Sequence, residues 1–413
     1  MFLIKIWTLR HVVRSTFLLA LIVGIMAALS GYGAGEEAEA DCSVTPQGPS
    51  LELLYRLEAG EEPVSASTRD EAVAIACERL RVIGGGEGEI RPLAKKRVRV
   101  LLPRTGDVAA SDRVVDQIGV AGQLYFYDWE PNLIGPERIV GGNPGTEPPV
   151  YATRRAKREW SAAGRNPNRP ANSGLILAGA FPTVYGAVKL ASEQKPRVRC
   201  AACSASSPRF YMFDRSTAHQ LIAGPATTRS DLRGDAAHQP NRHNGIVLKV
   251  PVGTVIVSEQ PIGRLGAPIA SAEPGWYALK DRFALSGDNI TDPKQEFDLY
   301  HQPNVTFGFT EKGRVAFQQL TRVVAFRGQA RAIGPVGSGA AEMLSGHIAL
   351  VVDGEIKTRP IINFAQNPDG IDGRVGAQIS GGFGGVQEAR DLVAILKIGA
   401  LPVNMTLIHR ALR

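Results

Sequence analysis

The sequence predicts an α+β fold, and three observations carry that prediction. HIALVVDGEIKTRPII (His347 to Ile362) sets two apolar runs around Asp353-Gly354, the dipeptide favoured in a two-residue type I′ hairpin turn. GVQEARDLVAILKIGALP (Gly385 to Pro402) repeats Val386, Ala389, Leu392, Val393 and Leu396 at three- and four-residue steps, which is an amphipathic helix. Leu51 to Glu130 reads strand-helix-strand-strand-helix-strand, the order of a split βαβ unit.

In chain order, LELLYRLEA from Leu51 is a strand, and Ser67-Thr68 caps a helix running through Val82. EIRPLA and RVRVLLP make two strands around Lys95-Lys96, Ala110 to Ile118 a short helix, and GQLYFYDW an aromatic strand. Between Glu130 and Gly275 the chain changes character. Tyr151 to Pro170 concentrates basic residues among Gly, Asn and Pro, a solvated loop or short exposed helix, with lipid or polypeptide contact as the sharper alternative. Ala180 to Glu193 is helical, RFYMFD is a strand, Thr227 to Asn244 is a polar loop, and GIVLKVPVGTVIVSEQ supplies two β runs split by Pro251 and Gly253. Thr310 to Gly328 is a helix with Val315, Phe317, Leu320, Val323 and Val324 toward a core. GRVGAQISGGF is a further β run. In the closing helix Lys397 complements the dipole, Gly399 supplies a left-handed C-cap and Pro402 prevents continuation.

The stretch from Ser345 to Pro402 resembles the membrane-proximal end of the large first periplasmic domain of the SecD protein-export family. It carries the hairpin segment, a strand ending in G-x-F (Gly381, Gly382, Phe383) and a helix running into G-A-L-P at Gly399 to Pro402. LSGDNITDPKQEFD (Leu285 to Asp298), PNVTFGFTEKGRVAFQQLTR (Pro303 to Arg322) and TRDEAVAIACERLRVIG (Thr68 to Gly84) are similar to other blocks of that domain, in the right order. The resemblance implies a discontinuous ferredoxin-like base with an inserted α+β head, preceded by one N-terminal transmembrane helix. The expected divisions are a cytoplasmic segment 1–14, an anchor 15–34, a linker 35–50, base 51–130, head 131–371 with a family-variable insertion, and base again 372–413. Hinges are expected near Gly135-Pro136 and Asp369 to Gly373.

The N-terminus is a targeting signal. Lys5, Arg10 and Arg14 precede an apolar run, Thr16 to Leu29, which places the N-terminus in the cytoplasm and the bulk of the chain outside it. Counting the small-residue tail, Ser15 to Ala34 reaches the roughly 20 residues a spanning helix needs. Cleavage after Ser30 is the alternative. Cys42 lacks a small-residue lipobox. A complete SecD carries further membrane helices after its GALP block, and no later stretch here is long and apolar enough to be one, so the expected role has no proton-driven step. The net charge of +7 over 413 residues is mildly basic and reads as solubility, not nucleic-acid binding.

No catalytic, metal or cofactor constellation is legible. Cys200-Ala-Ala-Cys203 is a lone C-x-x-C without a second ligand pair, and in an oxidising compartment a local disulfide is the expectation; Cys77 reads as a buried small hydrophobe on a helix face. Asp288, Asp292 and Asp298 lack the spacing of a calcium loop, Gly334 to Glu342 lacks the Lys-Ser/Thr of a phosphate loop, and no G-x-S-x-G elbow occurs. The glycine cluster at Gly381 to Gly385 precedes a helix N-terminus where an anion could sit, but the resemblance makes it a structural turn. The structural motif expected to matter is therefore Asp353, Gly354, Gly381, Gly382, Phe383, Gly399 and Pro402. By resemblance the partners are the Sec translocation channel, a SecF-like subunit, unfolded exported polypeptides and the membrane. The polypeptide-binding residues are not named by the sequence. A stand-alone envelope binding module and a hydrolase-like enzyme are the competing readings, the second without a visible nucleophile or metal set.

Overall fold

A computed structural model describes Cys42, residues 45–58, 64–84, 88–93, 96–104, 108–134, 137–140, 150–152 and 175–178, and residues 180–413 apart from 198–199, 201–202, 217, 240–243, 262–267, 269–271 and 333–337. The expected anchor at 15–34, the Gly135-Pro136 hinge and most of the basic stretch lie outside the described residues. Among the described residues no helix is long and apolar enough to cross a membrane.

Glu89–Leu93, Arg97–Pro103, Ser50–Glu58 and Asn404–Leu412 form one sheet in that spatial order, every pair antiparallel. Leu51, Leu53, Tyr55 and Leu57 alternate inward from the first strand, as a period of two requires. They pack with Ala72, Ala76 and Leu80 of the helix Ala66–Gly84 and with Val114, Val115 and Ile118 of the helix Val108–Ile118.

The fourth strand of this sheet is the C-terminal one, which corrects the expectation for the aromatic run. Leu124–Asp128 instead lies between Gly346–Val352 and Phe283–Ser286 in a larger sheet. The reason is that both of its faces are apolar. Leu124 and Phe126 enter one core, Tyr127 a second core on the opposite face. A strand apolar on both faces belongs inside a covered sheet, whereas Asn404–Leu412 keeps His409, Arg410 and Leu412 exposed and suits an edge.

The larger sheet runs Phe283–Ser286, Leu124–Asp128, Gly346–Val352, Glu355–Thr358, Thr254–Glu259, Gly275–Lys280, Leu133–Ile134, with Ile361–Ile362 paired to the far end of Gly346–Val352. The helix Glu311–Gln329 covers one face. Thr310 caps it by accepting from Gly313 N at 3.0 Å. Its inward stripe is Phe317, Leu320, Thr321, Val324 and Gly328, so Val315 and Val323, expected in the core, fall off the stripe and are exposed at 40% and 57%. Ile290–Phe297, Pro303–Phe309 and Ala377–Ser380 make a separate sheet beside this helix. Ala377–Ser380, beyond the expected division at 371, is thus paired with a strand that precedes it. The expected polar loop at Thr227 to Asn244 contains a helix, Arg229–Asp235, capped by Thr228 and anchored by buried Leu232.

The two parts meet through fixed contacts. The chain crosses between them at 119–123 and 399–403, flanking the helix Val386–Ile398, whose Ala394 and Ile395 pack with Ile83 and Val120. Asp369 to Gly373, expected as a hinge, is instead packed on the long helix. Ile371 is buried, its N–H donates to Thr321 Oγ1 at 2.8 Å, and a side chain on Gly370 (φ +81°) would strike Arg322 N and Gln318 O. Arg56 of the four-stranded sheet bridges to the helix Arg229–Asp235, 2.7 Å from Asp235 and 3.6 Å from Asp231.

Two disulfides are present, Cys42–Cys77 and Cys200–Cys203. The first corrects the reading of Cys77 as a free buried thiol. Ile90 N donates to Cys42 O at 2.7 Å, so Cys42 is held against the edge of the four-stranded sheet where the two cysteines can meet. That proximity is non-local and leaves no trace in the spacing.

Candidate functional site

The main candidate is a cleft of about 880 Å³ beside the centre of the large sheet. Thr254–Glu259 and Glu355–Thr358 are parallel neighbours, but they pair at only one position, Ser258 opposite Glu355. Beyond that point Glu259, Gln260 and Pro261 form one wall and Ile356 to Arg359 another. Gly339, Glu342 and Met343 of the short helix Ser338–Leu344 close a third side, and Ser380 with Gly382 a fourth.

The polar lining is cross-linked to itself. Arg359 donates through Nε and Nη2 to the two Glu259 oxygens at 3.2 and 3.1 Å, and Tyr277 OH donates to Glu259 at 2.9 Å. Burial, with Glu259 beside it, pushes the Tyr277 hydroxyl well above its usual pKa, so it remains a donor. The Arg359 guanidinium stands 4.8 Å over the fully buried Trp129 ring, which itself packs edge-on to Tyr277. Lys357 reaches Glu355 at 2.9 Å and Glu388 at 3.4 Å.

His347 lies at the inner end. Its backbone N–H and Nδ1 meet Glu130 at 2.9 and 2.8 Å, and Arg327 bridges Glu130 at 3.0 Å to Asp128. Burial opposes ionisation of Glu130, but the His347 and Arg327 contacts outweigh it and hold its pKa below the usual 4.5. At Asp128 burial outweighs Arg327 and the shift is upward. A depressed folded-state value stabilises the fold above the unfolded-chain pKa, and that contribution is lost as pH falls through the folded value; the Asp128 shift has the opposite sign. Glu130→Gln should therefore destabilise the protein in urea titrations at about pH 7, and the difference should shrink at about pH 3. An unchanged difference would show that the cluster is not held by the Glu130 charge.

The residues singled out in the sequence divide between this cleft and the junction. Asp353 and Gly354 form the expected turn, with φ of 49° and 82°. The Asp353 carboxylate also accepts from Gly122 N and Gln123 N at 3.0 and 2.9 Å, tying the hairpin to the crossover. Gly381 and Gly382 have φ of 81° and 75°, and a Cβ on Gly382 would come within 2.9 Å of Lys357 O, so the turn must be glycine to approach the cleft wall. Phe383 is buried in the core beneath the helix Glu311–Gln329. Gly399 has φ 102° and ψ 172°, a positive-φ conformation that favours glycine but lies outside the left-handed helical cap expected, and Pro402 follows as an exposed residue. Cys200 and Cys203 lie elsewhere, beside Asp281. Asp288, Asp292 and Asp298 are engaged separately, with Ser286, with Lys294, and with the Tyr300 and Gln302 amides. Among the described residues no cluster of three or more His, Cys, Asp or Glu could hold a metal. Glu259, His347, Arg359, Met343 and Arg79 were not named by the sequence reading. The signal available for the cleft was the charged alternation Glu355, Lys357, Arg359 on one strand.

The arrangement defines a two-part α+β protein with a cleft in which Glu259 is committed to Arg359 and Lys357 to Glu355, suited to holding a ligand. Residues 266–403 match the family described as SecDF, P1 head subdomain. The protein translocase subunit SecD of Magnetococcus marinus is 30% identical over 161 residues, 39% of this chain and 25% of that protein. SecD of Rhodothermus marinus is 27% identical over 192 residues, 46% of this chain and 25% of that protein. A solved structure of SecDF, described as a membrane component that enhances protein export, covers 86% of this chain at 19% identity, with 97% of that structure covered and a TM-score of 0.37. Residues 266–403 are thus similar to the SecDF P1 head subdomain, and the chain spans about a quarter of the length of these two SecD relatives.

Proposed function

We propose that this chain is a membrane-anchored, extracytoplasmic SecD-like domain that assists Sec-dependent export by contacting emerging polypeptides, without catalytic chemistry of its own. The observation that carries this reading is the cleft, most of whose lining falls within the residues matched to the SecDF head. The four-stranded antiparallel sheet, with its last strand beside its first and two helices packed on it, has the order of a ferredoxin-like unit and supports its reading as the base. The Sec channel and a SecF-like subunit are the partners this assigns, and Ser15 to Ala34 is the anchor.

The test is photocrosslinking to an exported chain stalled in the channel. A crosslinker at Met343, exposed at the cleft, should label the stalled chain, and one at Leu93, exposed on the base, should not. Equal labelling from both positions, or labelling from neither, would overturn the assignment.

A further inference from the structure

The cleft lies where a sheet fails to close. Between Gly346–Val352 and Glu355–Thr358 the register slips, so that Thr358 faces Leu350 and Ile356 faces Val351. Lys357 is left with no opposite residue, a β-bulge, which is a device that ends pairing and re-aims a strand. On the other side, pairing to Thr254–Glu259 stops after Ser258 opposite Glu355, supported by Ser258 N donating to Gly354 O at 2.8 Å. Thr254–Glu259 remains paired along its far edge as far as Glu259 opposite Gly275. Two parallel strand edges therefore separate within one sheet, and the Glu259–Arg359 ion pair spans the gap.

We infer that this gap is a strand-addition site. It takes a short extended polypeptide segment, held by main-chain hydrogen bonds to the diverging edges. This deepens the proposed function and rests on it. Strand addition recognises backbone, and pockets for alternate side chains add selectivity. The cleft provides both kinds of wall. Tyr277, Met343, Ile356 and Ile361 offer apolar surface to one set of alternating side chains, while Glu259 and Arg359, already paired, offer polar atoms to the other. Ser380 Oγ, on the wall beside Gly382, is buried without a hydrogen-bond partner, a further polar atom at the site. The favoured occupant is a net-neutral, alternating apolar and polar segment in an unfolded chain. Glu259 is paired with Arg359 and Glu355 with Lys357, while Glu342 adds one further acidic group, so a strongly acidic segment is disfavoured there and a near-neutral one is not.

The test uses the full chain and a fluorescent ten-residue peptide of alternating Val and Ser, with a second copy N-methylated at every other amide. The expected result is at least tenfold weaker binding of the methylated copy. Gly339→Trp gives an independent block. A Cβ at Gly339, which lines the cleft, meets nothing within 4 Å, so an indole there has room to enter the cleft without displacing the fold. It should weaken the unmodified peptide at least tenfold and leave thermal unfolding unchanged. Loss with Gly339→Trp but no effect of methylation would overturn strand addition and leave the proposed function standing, with the cleft reading side chains instead. No effect of Gly339→Trp would move the site elsewhere and overturn the inference. Failure of both peptides to bind the parent chain would count against the proposed function as well.

Discussion

Replacing Arg79 with alanine should cost about 4 kcal/mol, because it leaves buried carbonyls without their donor and opens a void at the junction of the two parts. Arg79 is fully buried on the helix Ala66–Gly84. Its guanidinium donates to the carbonyls of Val120, of Ala121 at 3.5 Å and of Gly399 at 2.9 Å, so one side chain ties together the outgoing and returning crossovers. Burial pulls its pKa down to about 10, with Asp353 opposing the shift. The guanidinium remains charged at neutral pH. The outgoing crossover is fitted to it: Gly122 has φ +72°, and a Cβ there would stand 2.6 Å from Arg79 Nη2.

Arg79→Lys should not restore stability, since an ammonium cannot address carbonyls of both crossovers as a planar fork does. The expected readout is a melting temperature lower by about 10 °C. Hydrogen exchange should accelerate at Gly122 and Gln123, whose amides are held by Asp353. A loss below about 1 kcal/mol would show that the packing of Ile83, Val120 and Ile395 holds the junction without the guanidinium.

Arg79 also marks the limit of what the sequence discloses. The helix around it was legible from the Ser67-Thr68 cap through Val82, and the structure shows its inward face to be Ala72, Ala76, Leu80 and Ile83. Arg79 sits within that inward face, and the carbonyls it meets depend on chain 41 and 320 residues away. The Asp353-Gly354 hairpin was legible because turn chemistry is local. The place of Leu124–Asp128 was not, because period-two patterning reports that a strand exists and how its faces are covered, not which neighbour it takes. The expectation that it closed the base sheet followed sequence adjacency, and the C-terminal strand took that place. The cleft was the least legible feature. Its walls come from strands around 259, 277 and 358, a helix at 339–343 and a turn at 380–382, and each stretch alone reads as ordinary secondary structure.

The second large effect is expected at Asp281, which is fully buried in the turn after Gly275–Lys280. One carboxylate oxygen accepts from Tyr127 OH at 2.9 Å. The other accepts from Ser204 N and Ser204 Oγ, both at 2.8 Å, and from Ala205 N at 3.3 Å. Burial, with Asp281 adjacent, holds the Tyr127 hydroxyl well above its usual pKa and keeps it a donor. The segment containing Cys203 is therefore fastened to the large sheet by a charged acceptor, with Cys203 Sγ 3.1 Å from the Asp281 carbonyl oxygen. Asp281→Ala should cost about 4 kcal/mol, because hydrogen bonds to a charged group are the stronger kind and the Tyr127 hydroxyl is stranded in the core. Asp281→Asn should cost about half as much, since its amide NH₂ must face donors on one side. Replacing Cys200 and Cys203 with serine should cost no more than about 2 kcal/mol, because so short a loop gives up little closure entropy. Urea unfolding of these variants, with Tyr127→Phe added to form a double-mutant cycle, separates the contributions. A coupling of about 1–2 kcal/mol between Tyr127 and Asp281 is expected. A larger loss from the cysteine pair than from Asp281→Ala would make the disulfide, not the carboxylate, the fastening that positions this segment.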